Sequence, residues 1–260
     1  MRELRANDVM VKSAAAGQRV ALCLAGKVEL GDIDRGDCLV EPSLDQLSHR
    51  LDVQLSLLSD APTALKHLSP AKLYIGAGRV SAKVALIENA ISSLAPGQTK
   101  MAQLILDSPI SAYSGERFVL RDDSESFHLG GGVILDPNGP QYGKAKPERL
   151  TWLSALATGS TDTALRDLLA SDRTIAWSDL TRAFHLKEGA ALPSLPDTAV
   201  KFDLQQSTWI TTRNAISAAR QALLDALSDE KAQASDSRGV PKDCLLYTSQ
   251  SPRDSLESRL

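Results

Sequence analysis

Apolar and polar residues alternate in several short stretches of the first two thirds of the chain, and this pattern constrains the fold more than any other feature. In RLDVQLSLL, residues 50–58, leucine or valine occupies every second position. RVSAKVALIE, residues 79–88, and MAQLILDSP, residues 101–109, repeat the pattern. A period of two places the apolar side chains on one face of a strand, so each stretch is predicted to be a half-buried β-strand.

Glycine and proline separate these stretches, and no helical periodicity lies between them. Short strands at this spacing are typical of an antiparallel barrel or sandwich. We therefore predict one such domain over residues 43–140. The separating residues are Pro62, Pro70, Gly76, Gly78, Pro96, Gly97, Pro109 and Gly115.

The first 42 residues are predicted to be part of another small barrel. AGQRVALCLAG, residues 16–26, and DIDRGDCLVEP, residues 32–42, each have the character of a strand. Cys23 and Cys38 lie in these stretches, where small buried thiols are common. Three cysteines without pairing or metal-type spacing indicate a reducing, cytoplasmic setting.

The periodicity changes after Pro147, which is expected to open a helix. A second helix is predicted from Ser160 or Thr161, with Ala164, Leu165, Leu168 and Leu169 on its apolar face.

A third helix is predicted from Ser178, followed by a strand pair around Gln205 and a last helix over 213–230 with Ile216, Ala219, Leu223 and Leu227 on one face. This order of elements predicts a winged-helix domain over residues 141–230. The predicted fold class is therefore mainly β followed by α.

The end of the chain has no periodicity that predicts a helix or a strand. Residues 231–242 are predicted to be a polar linker. DCLLYTS, which begins at Asp243, is what a transposon-end sequencing adapter encodes, so residues 243–260 are interpreted as a sequencing artefact and excluded from the fold.

Three consecutive glycines, Gly130, Gly131 and Gly132, suggest a phosphate-binding loop at first sight. Such a loop lies between a strand and a helix, because helix N-terminal amides hold the anion. Here the run is followed by the strand-like Val133-Ile134-Leu135. We therefore interpret these glycines as a bend or a close backbone approach within a strand.

No catalytic or metal-binding residue is predicted. The sequence has no GxxxxGK[ST], GxSxG or HExxH motif, and its four histidines are scattered, with His128, beside the glycine run, the most interesting of them. The longest apolar runs are too short to span a membrane, so no membrane partner is expected.

Local charge is the remaining signal, because the net charge of −3 gives no global attraction to nucleic acid. Arg117 and Arg121 flank FVL and are expected to point outward as a basic pair that could contact phosphate. The acidic tip at Asp122, Asp123 and Glu125 is interpreted as a solvated turn. A small basic linker is formed by Lys144, Lys146 and Arg149.

Three segments together resemble the bacterial selenocysteine-specific elongation factors, the SelB family. AGQRVALCLAG with IDRGDCLVEP resembles the end of elongation-factor domain 2, and PISAYSGERFVLRDDSESFHLGGGVILDP resembles the end of domain 3. YGKAKPERLTWLSALA and the region after it resemble the first winged helix of that family. The resemblance covers residues 1 to about 242.

The resemblance implies a fragment of a GTPase that delivers selenocysteyl-tRNA to the ribosome at a recoded UGA codon. It implies that Arg121, with Arg117 beside it, contacts tRNA and that Arg19 lines the aminoacyl pocket. GTP and Mg²⁺ would be bound by a GTPase domain, and an mRNA hairpin by further C-terminal winged helices, neither of which this sequence contains. The fragment itself would therefore need no cofactor.

Two other functions are kept open by the residues alone. One is a winged-helix nucleic-acid-binding regulator with a β-barrel sensor domain. The other is a nucleotide-dependent enzyme that uses the glycine run, which the strand context of that run disfavours.

Overall fold

The structure, a computed structural model, divides the chain into two compact units, Met1–Leu39 and Val40–Leu260. The interpretation of residues 243–260 as an artefact, and that of most of the linker, falls outside the described residues. The residues described are 2–26, 31–40, 47–87, 93–184, 186, 191–204 and 207–233.

The first unit contains a small antiparallel sheet of three strands, in the order β2-β1-β3. The strands are β1 (Glu3–Ala6), β2 (Val9–Met10) and β3 (Val20–Cys23). The strand predicted near Val20 is confirmed, but the strand predicted over 32–42 is wrong for its described part, because residues 31–40 form turns and irregular backbone. Cys23 and Cys38 are exposed rather than buried.

The second unit begins with a closed antiparallel barrel of six strands, which confirms the predicted barrel. Its strand order is β10-β11-β4-β9-β7-β6, and β5 and β8 form a separate two-stranded sheet whose Leu65 and Leu94 join the barrel core. The strands are β4 (Leu47–Leu57), β5 (Leu65–Lys66), β6 (Ser69–Ile75), β7 (Gly78–Leu86), β8 (Ser93–Leu94), β9 (Thr99–Ser111), β10 (Arg117–Asp122) and β11 (His128–Asp136).

The barrel interior is filled by the apolar residues of the alternating stretches. Each of those residues points inward because successive side chains of a strand point to opposite faces. The barrel therefore follows directly from the sequence pattern. Members of this core include Leu51, Val53, Leu55, Leu73, Val84, Leu104, Phe118, Leu120 and Ile134.

The glycine run lies within β11 and is paired on both sides, so its interpretation as strand backbone is confirmed. Gly132 lies opposite Leu55 of β4 and Phe118 of β10. A Cβ atom on Gly132 would be 1.9 Å from the carbonyl oxygen of Gln54. The glycines are therefore needed for the close approach of neighbouring backbones, and they leave no room for a phosphate.

A helical region follows the barrel. It combines four helices with a three-stranded sheet in the order β12-β14-β13. The elements are α1 (Pro147–Leu156), α2 (Thr161–Ala170), β12 (Ile175–Ala176), α3 (Trp177–Ala183), β13 (Ala199–Leu204), β14 (Ser207–Thr212) and α4 (Arg213–Gln233).

The predicted helix starts are right for two helices and wrong for one. Pro147 opens α1, and Ser160 is the N-cap residue of α2, although its side chain makes no capping hydrogen bond. The start predicted at Ser178 is wrong, because α3 begins at Trp177 with Ala176 as its N-cap. Backbone pairing of Ala176 with Trp209 ends β12 at that point and sets where the helix begins.

The apolar faces of the helices differ in how they are packed. Ala164, Leu165, Leu168 and Leu169 of α2 are all buried, as the sequence predicts. The predicted apolar face of α4 is largely uncovered, with Ile216 and Leu223 exposed by 45% and 41%.

The helical region packs on the outside of the barrel. Leu153 and Leu156 of α1, with Ala183 of α3, form a buried cluster with Ile87 and Leu135 of the barrel wall. Ile87 and Leu135 point away from the barrel interior, so this cluster is a second core between the two parts. It covers part of the outer face of the barrel.

Candidate nucleic-acid interface

The outward side chains of β10 are those that the sequence predicts. Phe118 and Leu120 are buried in the barrel, whereas Arg117 and Val119 are exposed and Arg121 is partly exposed. Arg117 and Arg121 therefore lie on the same outer face of one strand, as expected from the alternation.

Neighbouring strands extend this positive surface with residues that sequence reasoning missed. In β6, Lys72 lies directly opposite Arg121, and Tyr74 lies opposite Val119. In β7, Arg79 lies opposite Tyr74. We call the set Lys72, Tyr74, Arg79, Arg117 and Arg121 the basic face. Only the strand register joins these residues, and one sequence read strand by strand does not reveal that register.

The hairpin loop between β10 and β11, residues 122–127, folds back over the basic face. The Glu125 carboxylate accepts a hydrogen bond from the Tyr74 hydroxyl at 2.5 Å and one from Arg79 Nη1 at 2.9 Å. Asp123 forms an ion pair with Lys72 at 3.3 Å. The acidic tip is a turn, as interpreted, and Asp123 is 58% exposed, but Glu125 and Asp123 each also pair with a basic side chain of the barrel.

Arg121 of β10 also contacts this hairpin loop. Its Nη2 donates to the backbone carbonyl of Glu125, and its buried Nε has no hydrogen-bond partner among the described residues. The backbone of Glu125 has φ of 59°, a left-handed conformation that is rare for a residue other than glycine. The loop is thus held in a strained turn by contacts with the basic face.

The electrostatic effect of the basic face appears in the carboxylate that it surrounds. The hydrogen bond from Tyr74 lowers the pKa of Glu125, and the charges of Arg79, Arg121 and Lys72 lower it further. Glu125 is therefore ionised at neutral pH, and it neutralises part of the positive charge around it.

Arg19, expected in an aminoacyl pocket, lies in the first unit. It is exposed and directly precedes β3. The role of Arg19 in an aminoacyl pocket remains a prediction.

A second cluster of charged residues lies where α1 meets the barrel. Arg149 of α1 donates from Nη2 to Asp52 Oδ2 at 2.5 Å and from Nη1 to Asp136 Oδ2 at 2.8 Å. The Trp152 indole donates to Asp136 at 3.1 Å, and the Gln103 amide donates to Asp52 at 2.8 Å. We call Asp52, Gln103, Asp136, Arg149 and Trp152 the junction cluster. Arg149 is thus a buried ion-pair partner and not part of an exposed basic linker.

Burial affects the two carboxylates of the junction cluster differently. Burial raises the pKa of Asp52, and the charge and hydrogen bonds of Arg149 only partly offset this effect. Burial also opposes ionisation of Asp136. There, the charge of Arg149 with hydrogen bonds from Asn138, Arg149 and Trp152 outweighs burial and lowers the pKa. The pKa of Arg149 is raised, because Asp136 and Asp52 outweigh its own desolvation.

Neither cluster resembles a metal or cofactor site. In the part of the chain that the structure describes, no three histidine, cysteine or carboxylate side chains lie close enough to hold a metal ion. None of the described helices has both the length and the apolar character that a membrane span needs.

Comparison with known proteins shows similarity to selenocysteine-specific elongation factors. The family described as "Selenocysteine-specific elongation factor, beta-barrel domain" matches residues 48–141. The selenocysteine-specific elongation factor of Escherichia coli (strain K12) is 33% identical over 162 residues, which is 62% of this chain and 24% of that protein. The factor of the same name from Haemophilus influenzae is 26% identical over 247 residues, 93% of this chain and 38% of that protein.

A solved structure agrees at the level of the fold. The crystal structure of a bacterial selenocysteine-specific elongation factor, EF-Sec, superposes with a TM-score of 0.63 at 19% identity and covers 98% of this chain. The chain spans from about a quarter to two fifths of the length of these relatives. The family match of the barrel and the two curated relatives show that the chain is similar to selenocysteine-specific elongation factors, and the solved structure shows the same fold.

Proposed function

We propose that this chain supplies the tRNA-binding barrel of a factor that delivers selenocysteyl-tRNA to the ribosome for incorporation at a recoded UGA codon. The observation that carries the proposal is the basic face, which presents four cationic side chains and a tyrosine on adjacent strands of the barrel. Guanidinium groups match the geometry of phosphate oxygens, and phosphate contacts supply most of the affinity for a nucleic-acid backbone.

Arg117 and Arg121 are proposed as phosphate contacts, and Arg19 as a cation in the aminoacyl pocket. A cation near the amino acid would favour a selenolate, which is ionised at neutral pH, over the neutral hydroxyl of serine. The setting in which such a protein works is the cytoplasm.

GTP and Mg²⁺ belong to this proposal only through the rest of the protein. The glycine run is closed off by strand pairing on both sides, and the described residues form no cation site. Residues present here therefore do not fit either group. We place GTP binding and hydrolysis in another part of the protein and route no step of it through this chain.

The helical region is proposed to be a winged-helix domain that links the barrel to an mRNA-hairpin-binding part of the protein. The hairpin of β13 and β14, with β12 beside it, is the observation that favours a wing. α3 precedes this hairpin, as a recognition helix precedes the wing in winged helices that read DNA. The linking role is preferred to the alternative of a DNA-binding regulator with a barrel sensor, because Arg149, one of the three basic residues at the start of the helical region, is held in ion pairs with Asp52 and Asp136.

The test is tRNA binding by a complete factor that contains this chain. Arg121→Ala is expected to weaken the binding of selenocysteyl-tRNA by about tenfold, the effect of one charge-assisted hydrogen bond. The slope of log affinity against log salt should become shallower by about one, because one phosphate contact is lost. GTP hydrolysis without tRNA should not change.

The matched control is Arg166→Ala, which removes an exposed arginine of α2 away from the basic face. Its affinity and salt slope should equal those of the wild type. An unchanged salt slope for Arg121→Ala would remove Arg121 from the contacts. Equal affinity for seryl- and selenocysteyl-tRNA in the wild type would count against the proposed function as a whole. A shift of duplex DNA by residues 144–230 would favour the regulator.

A further inference from the structure

The side chains of the basic face already have an anion among them. Glu125 places one carboxylate oxygen on the Tyr74 hydroxyl and the other on Arg79 Nη1. Arg121 lies under the same residue and donates to its backbone carbonyl. A carboxylate held by a hydroxyl and a guanidinium is bound in the way that a nonbridging phosphate oxygen pair would be.

The position of this carboxylate is set by the loop and not by the strands. Glu125 lies in the hairpin loop, where its backbone nitrogen donates to the Asp122 carbonyl at 2.9 Å. Its left-handed φ of 59° costs free energy that a glycine would not incur. The contacts of its side chain offset this cost, so the loop conformation and the occupied basic face depend on each other.

The groups that Glu125 holds are otherwise suited to an external ligand. Arg79 is 59% exposed, so a ligand can reach it without rearrangement of the barrel. The tyrosine ring and the outward Val119 provide a flat surface between the cations. Arg121 has an additional donor, Nε, that no described residue satisfies.

From this geometry we propose that Glu125 is an internal substitute for an RNA backbone phosphate, which occupies the site of Tyr74, Arg79 and Arg121 until the RNA displaces it. This proposal rests on the proposed function, because Glu125 acts on the same basic face that is proposed to bind tRNA. The internal carboxylate weakens binding to RNA that makes few contacts, whereas a correctly placed tRNA supplies enough contacts to displace it. Glu125 thus acts on selectivity and leaves the fold intact.

The experiment measures fluorescence anisotropy of a labelled RNA hairpin, matching a tRNA acceptor and T arm, with the 260-residue chain. Glu125→Gln keeps the shape and removes the charge. We expect it to bind about fivefold tighter, the effect of one screened unit charge at contact distance. The salt slope should become steeper by about one, because a further phosphate contact forms.

Glu125→Gly is a second variant that protects the test against misfolding. Glycine accepts the left-handed backbone of this position, so the variant is expected to unfold at the wild-type temperature or above. It should also bind the RNA hairpin more tightly than the wild type. Asp167→Asn is the control, since it removes one exposed carboxylate of α2 and should change affinity by less than about twofold.

The outcomes separate this proposal from the proposed function. If the wild type binds the hairpin through Arg121 and both Glu125 variants bind equally well or less well, Glu125 is not a substitute for a phosphate. The proposed tRNA-binding function is unaffected by that result. If both variants bind RNA more tightly while Arg121→Ala has no effect in the complete factor, the proposal that Glu125 substitutes for a phosphate is supported. The proposed contact of Arg121 with tRNA is then contradicted. If no protein binds the hairpin at low salt, both are overturned. Equal competition by inorganic phosphate and RNA would show a free-anion site and would also overturn the proposal.

Discussion

Asp52 and Asp136 share one cation, Arg149, yet their environments shift their pKa values in opposite directions. Asp136 is stabilised as a carboxylate by Arg149, Asn138 and Trp152. Asp52 has fewer compensating contacts for its burial, and its pKa is raised. Their contributions to stability should therefore depend on pH with opposite sign.

The sign follows from the direction of each shift. The lowered pKa of Asp136 means that its contribution is fully present above its ordinary value of about 3.8 and is lost as pH falls through the folded pKa. The raised pKa of Asp52 means that its contribution is present below about 3.8 and is lost as pH rises through the folded pKa.

Denaturant unfolding at several pH values tests this difference. At pH 7, Asp136→Asn is expected to cost about 3 kcal/mol, because it breaks a buried ion pair, and Asp52→Asn should cost less. Between pH 7 and pH 4, the deficit of Asp52→Asn relative to the wild type should grow, while that of Asp136→Asn should stay constant. Parallel pH profiles for the two variants would contradict the assignment.

Single residues show clearly where sequence reasoning stops. The alternation in RLDVQLSLL predicts that Asp52 is on the outer, polar side of its strand, and this is correct. It cannot predict that the outer side is covered at this point, because Arg149 approaches from 97 residues further along the chain. For the same reason, the residues next to Arg149 in the sequence do not predict its ion pairs with Asp52 and Asp136.

At the scale of elements, β11 is the strand with the least tolerance for side chains. Gly130 and Gly132 face backbone carbonyls of β4, and Gly131 faces that of Phe118 in β10. The sequence context was sufficient to assign these glycines to a strand. It could not show which neighbouring backbones approach them, because that depends on closure of the barrel.

Gly132→Ala tests the close approach. Its Cβ atom would lie 1.9 Å from the Gln54 carbonyl oxygen, so β4 and β11 must separate. We expect the free energy of unfolding to fall by about 3 kcal/mol or more, the upper part of the overpacking range. Val119→Ala, at an exposed position of the adjacent strand, should cost less than about 1 kcal/mol. Similar losses for both variants would show that the backbones can move apart freely.

Elements outside the barrel were harder to predict. The short strands β1 and β2 have only 4 and 2 residues, too few to show a period. The start of α3 follows from the pairing of β12 with β14, which is a tertiary contact. Local patterns therefore predicted the barrel, α1, α2, α4 and the β13–β14 pair, whereas pairing between distant segments determined β1, β2 and the start of α3.

For the whole molecule, the junction cluster and the apolar contacts around Leu153 and Leu135 join barrel and helical region. We expect the two parts to unfold in one transition. All three tryptophans lie in the helical region, at Trp152, Trp177 and Trp209, so their fluorescence reports that region and, through Trp152, its junction with the barrel. Far-ultraviolet circular dichroism reports both parts.

Arg149→Met should separate the two signals. It leaves two buried carboxylates without a cation, which costs about 3–5 kcal/mol. The fluorescence transition should then occur at lower denaturant than the circular dichroism transition, because the helical region loses its attachment while the barrel core remains. Arg166→Met, at an exposed site on α2, should leave the two transitions coincident. Coincident transitions for Arg149→Met would show that the apolar contacts alone maintain the coupling.

The junction cluster also determines an order of events during synthesis. Asp136 precedes Arg149 by 13 residues, so this pair can meet soon after both have been made, whereas Asp52 precedes Arg149 by 97. At about 5–20 residues per second, β4 leaves the ribosome roughly 5–20 s before its cation. The barrel can close once β11, which pairs with β4 and ends at Asp136, has been made, and the arrival of α1 is the step that then buries Asp52. Packing of the helical region against the barrel is therefore the last step on this side of the molecule, and it removes the Asp52 carboxylate from water only after the barrel has formed.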